Sequence, residues 1–143
     1  MSQVLNRWLK RINALETLTW NVRLVIRDRE QLAPLIGQFQ DLLEEHFGPR
    51  LAQTLLELKR LNVPDRSFGK ILEFLETDGK LMLLETLEFF TKHPARPLRS
   101  SDGMFPKDLT DFAGKVLQRL DAERAAVESL LAVVGAVGNP PIN

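Results

Sequence analysis

The sequence predicts an all-α fold, an antiparallel helical bundle of five to six helices with long first and last helices. Three observations predict it. Apolar residues recur at three- and four-residue steps along most of the chain, which places them on one helical stripe. Glycine and proline separate these stretches, as at Gly48-Pro49 and Pro64. No second convincing strand exists to pair with the single segment of alternating character.

The first stretch runs from about Gln3 to Gln31. Leu5, Trp8, Ile12, Leu15, Val22 and Ile26 form an a/d stripe, with Thr19 filling its gap. Within it, Trp20, Val22, Leu24 and Ile26 also alternate with polar residues, so residues 18–27 read either as helix or as a dimer-forming strand. Val25 breaks the alternation and favours helix. A second helix is expected to start near Pro34, where proline suits a first turn, and to carry Leu35, Ile36, Phe39, Leu42, Leu43 and Phe47. Gly48-Pro49 is expected to end it. A short helix over about Arg50 to Leu61 follows and stops at Asn62-Val63-Pro64-Asp65.

The next pattern covers Arg66 to Thr77, with Phe68, Ile71, Leu72 and Leu75 inward. Asp78-Gly79 reads as a kink or a sharp corner before the pattern resumes over Leu81 to Lys92. Residues 93–105 lack periodicity. The last helix is expected from Pro106 to about Val134, on Leu109, Phe112, Val116, Leu120, Val127, Leu130 and Val134. Residues 1–138 thus form a single helical domain, and 139–143 a flexible C-terminal tail.

The 143 residues carry 19 basic and 19 acidic side chains, and the zero net charge hides blocks. Residues 1–29 sum to +4, 30–91 to −5, 92–107 to +3 and 108–143 to −2. Segregation of this kind steers partners or orients subunits, or lets an acidic middle fold against basic ends. The balance argues against nucleic-acid binding, which usually comes with a strongly basic domain.

Candidate chemistry is sparse. With no cysteine there is no disulfide framework and no thiolate. A di-iron helical bundle needs Glu-x-x-His pairs, but Leu43 stands three residues before His46 and Phe90 three before His93. Asp41 and Glu45 share a face and read as a solvated acidic edge. No serine sits in a Gly-x-Ser-x-Gly elbow, and no glycine-rich phosphate loop occurs. No catalytic, metal or cofactor-binding residues are therefore assigned; no cofactor is expected, and an enzyme is not favoured.

Two surfaces remain as candidates. Trp8, Arg11, Trp20, Arg23 and Arg27 combine aromatic and basic groups and form the candidate partner interface. Trp8 also suits core packing, whereas Trp20 falls off the stripe. Lys92, His93, Arg96, Arg99 and Lys107 form the candidate basic binding loop, where arginines suit a phosphate or carboxylate.

The expectation is a non-catalytic protein–protein interaction or assembly module, an adaptor or homo-oligomer in the cytoplasm. It would self-associate through its long amphipathic helices in coiled-coil fashion. One alternative is a helical bundle binding a small molecule or lipid, suggested by Phe68, Phe74, Phe89, Phe90 and Phe112. Another is a peripheral membrane protein using the basic N-terminal helix; a membrane surface is not favoured as partner. No window is long and apolar enough to span a bilayer.

Overall fold

The computed structural model describes residues 2–96, 98 and 103–138. Helix α1 spans Ser2–Leu24 and α2 spans Arg29–Glu45. A π turn, His46–Arg50, joins α2 to α3, Leu51–Arg60. Helices α4, Arg66–Lys92, and α5, Phe105–Gly138, complete the chain. Because α2, the π turn and α3 run as one kinked rod, the described residues form four rods rather than the expected five or six. Of two expected breaks, the one at Gly48-Pro49 persists as a kink and the one at Asp78-Gly79 does not occur, and both outcomes have a physical cause.

The first is at Gly48-Pro49. Gly48 leaves helical dihedrals (φ −102°, ψ −109°), and Pro49 has no N–H for the ladder. The chain kinks at this point and the helical path resumes beyond it. Leu51 then donates its N–H to the Gly48 carbonyl and α3 continues. The second is at Asp78-Gly79, which lies inside an unbroken α4. Both residues are buried. Gly79 lets Leu51 of α3 approach, since a Cβ there would lie 2.1 Å from Leu51 Cδ2. Asp78 pairs with Arg119 of α5. These are packing residues and not a turn.

Helix α1 is also shorter than the Gln3–Gln31 pattern. After Leu24 the backbone tightens, with Val25 N–H donating to Val22 O at 3.2 Å and Asp28 N–H to Val25 O at 2.9 Å. The Asp28 carboxylate accepts from the Gln31 N–H and caps α2, which starts five residues before Pro34. The strand reading of 18–27 fails: 18–24 are helical, and no strand occurs among the described residues. Asp65 caps α4 by accepting from Ser67 N–H at 2.7 Å. Asn62, in the left-handed region at φ 49°, closes α3.

Packing follows the stripes. Leu5, Trp8, Ile12, Leu15, Thr19 and Val22 of α1 are all buried, mainly against α5. Buried hydroxyls are satisfied locally: Thr19 donates to Leu15 O and Thr86 to Met82 O. Phe39 of α2, Phe89 and Phe90 of α4 and Phe112 of α5 interlock. Phe89 and Phe112 are stacked at 4.4 Å, and Phe39 meets Phe90 and Phe112 edge-on. These rings fill one another's space, and Phe74 lies outside the core. No helix among the described residues is long and apolar enough to cross a membrane.

Candidate functional site

The π turn brings an imidazole into the core. His46 Nε2 lies 2.7 Å from Glu123 Oε1 of α5. The Trp8 indole N–H of α1 donates to the same oxygen. All three side chains are buried, and Glu123 Oε2 has no partner among the described residues. One buried carboxylate thus ties α1, the π turn and α5.

Beside this triad a cleft of about 350 Å³ opens between α1 and the π turn. Arg7, Lys10, Arg11 and Ala14 line it from α1, because spacings of three, four and seven share one helical face. Leu42, Glu45, His46 and Arg50 face them. Arg11 donates from Nη2 to Thr54 Oγ1 at 3.1 Å, while its Nε is buried without a partner. Burial and then the nearby Arg50 hold the Arg11 guanidinium below its usual range. Arg50 gives its Nε to Glu45 at 2.8 Å.

A second groove, of about 330 Å³, lies where α4 meets α5. His93 Nε2 and Lys92 Nζ approach Asp108 Oδ2 at 2.9 and 3.1 Å. The bond to His93, then that to Lys92, keeps the Asp108 carboxyl below its usual range. His93 is buried between the rings of Phe89 and Phe105. Arg96 makes a bidentate pair with Asp41 of α2, at 2.9 and 2.7 Å, and lies over Gly37. Among the described residues, no three His, Asp or Glu side chains gather to hold a metal.

These positions redistribute the residues singled out in the sequence. Trp8 is only 1% exposed and faces the core, so it is not part of an accessible interface. Arg11 lines the cleft, away from Trp20. Arg23 sits over the Trp20 ring at 5.0 Å, and Arg27 is exposed nearby in sequence. The five do not form one patch. In the basic loop, Lys92, His93 and Arg96 are engaged with Asp108 and Asp41, so the loop is a clasp onto α2 and α5. Lys107 is exposed, and Arg99 lies outside the described residues, as do residues 139–143 of the expected tail.

Sequence reasoning missed Glu123, Arg50, and the pair Asp78–Arg119. A signal was present for two of them. Glu123 fills the step between Leu120 and Val127 on the α5 stripe, and Asp78 falls between Leu75 and Met82 on that of α4. An acid on a buried stripe needs a partner. Burial pushes the Asp78 carboxyl up despite Arg119 beside it.

A third feature is the outer face of α4. Phe74, Leu81, Leu84 and Leu87 are each 44–56% exposed. Lys80 and Glu88 flank Leu84 at four residues on either side, both exposed. Compared with protein-family models, curated proteins and solved structures, the chain finds no match in any of the three.

Proposed function

We propose that this chain is a non-catalytic, self-associating interaction module in which two copies pair antiparallel through the outer face of α4. The observation that carries the reading is the symmetry of that face. A two-fold axis beside Leu84, perpendicular to both helices, sets Leu81 of one copy level with Leu87 of the other, across the seam. The same operation sets Lys80, which also pairs with Glu76, level with Glu88 of the other copy across the seam. An isologous contact needs this kind of self-complementarity. The long stripes of α1 and α5 are used up inside the monomer, so the seam moves to α4.

The magnitudes favour a reversible dimer. Six half-exposed leucines across the seam gain roughly 5–9 kcal/mol, taking about half of the value for full burial. Association costs an estimated 4–15 kcal/mol. Gain and cost are of similar size, so the dimer is weak and dimerisation depends on concentration.

Light scattering over a rising concentration series tests this. The native chain is expected to pass from monomer to dimer mass. Leu84→Lys should hold it at monomer mass with helicity intact. Lys80→Glu should weaken the dimer, and adding Glu88→Lys should recover it. A native chain that stays monomeric throughout contradicts the reading.

A further inference from the structure

The cleft between α1 and the π turn is built differently from the rest of the surface. Arg7, Lys10, Arg11 and Arg50 line it, with Glu45 the one carboxylate in the wall, while Glu123 and Glu57 also bear on Arg11 from outside it. Glu45 is already engaged by Arg50 Nε. Arg7 and Lys10 have no hydrogen-bond or ion-pair partner among the described residues, and neither have the terminal nitrogens of Arg50. Three cations elsewhere, by contrast, are held by carboxylates: Arg96 by Asp41, Arg119 by Asp78 and Arg124 by Glu16. Like charges held this close repel, and Arg11 shows it, since burial and Arg50 both disfavour its charged form. A bound anion relieves that repulsion.

We infer that this cleft is a binding site for a phosphate-bearing ligand. Three guanidiniums and an ammonium suit a dianion better than a single carboxylate, because each planar fork can grip two oxygens. Ala14 and Leu42 give the wall an apolar strip on which the rest of the ligand lies. The Trp8–Glu123–His46 triad lies behind this wall and fixes the π turn that carries Arg50, so the cationic groups are held in place before the ligand arrives. The cleft lies on different elements from the α4 face, and the site does not depend on self-association.

Calorimetry with pyrophosphate as the probe, at low salt, tests the inference on the full chain and on its Leu84→Lys variant. Saturable one-to-one binding is expected. Arg7→Glu and Lys10→Glu, both exposed and without internal partners, should each weaken it about ten-fold or more while leaving the thermal transition unchanged. Sedimentation with phosphatidylcholine vesicles containing phosphatidic acid separates the sources. Vesicle binding that pyrophosphate displaces assigns the site to a lipid headgroup; absence of vesicle binding assigns it to a free phosphate compound. No saturable heat with pyrophosphate, or heat that both charge reversals leave unchanged, overturns the proposal.

Discussion

Glu123 shows how one side chain can organise several helices. Its carboxylate is buried, and it is compensated by an imidazole from the π turn and an indole from α1. Removing the partner of a buried charge costs about 3–5 kcal/mol, whereas replacing the whole pair by apolar groups is often neutral. His46→Ala alone should therefore lower stability by about 3 kcal/mol. The double variant His46→Leu with Glu123→Leu should recover only part of that loss, because the buried Trp8 indole N–H then lacks its acceptor. Urea denaturation of the single and double variants checks this, and equal losses in both would show that the charge is not what the histidine compensates. The acid was legible in the sequence only as an interruption of the α5 stripe. Its partners were not, because Trp8 and His46 are 115 and 77 residues away and nothing local points from one to the other.

The kinks and continuities belong to the scale of the element. Dipeptides of turn-forming residues predicted breaks at Gly48-Pro49 and Asp78-Gly79; the first is a kink, and tertiary packing overrode the second. Local propensity is worth about 1 kcal/mol for a glycine within a helix, less than the burial of a single leucine. The two kinds of helical glycine can be told apart by substitution. At Gly114 of α5 a Cβ meets nothing within 4 Å, so Gly114→Ala should stabilise by about 0.8 kcal/mol. At Gly79 a Cβ would overlap the buried Leu51, so Gly79→Ala should destabilise by about 1 kcal/mol or more after the propensity gain. Thermal melts of the two variants should shift in opposite directions. Shifts of the same sign would mean that Leu51 yields freely. The caps on Asp28 and Asp65 were readable in principle, since Asp stands immediately before each helix. The end of α1 was obscured because the apolar pattern runs past it into Val25 and Ile26, which still pack on the core.

At the scale of the molecule, the all-α class follows from stripe spacing alone, and the stripe residues of α1 and α5 are those that fill the core. The charge blocks are resolved in part by internal pairing. Arg96 of the basic loop meets Asp41 of the acidic segment, and Lys92 and His93 meet Asp108. What the blocks leave over is local: a cationic cleft beside α1 and a face of α4 with leucines between Lys80 and Glu88. Neither was legible as a site, since each depends on which stripe residues the core consumes. The absence of cysteine from the whole chain offers a direct probe of the α4 pairing. A disulfide needs Cα atoms within about 7 Å, a separation met at a two-fold axis and not far from it. Leu84→Cys, under mild oxidation, should form a covalent dimer rapidly, whereas Glu128→Cys on exposed α5 should not. Equal rates at the two positions, or no cross-link at Leu84, would contradict pairing through α4.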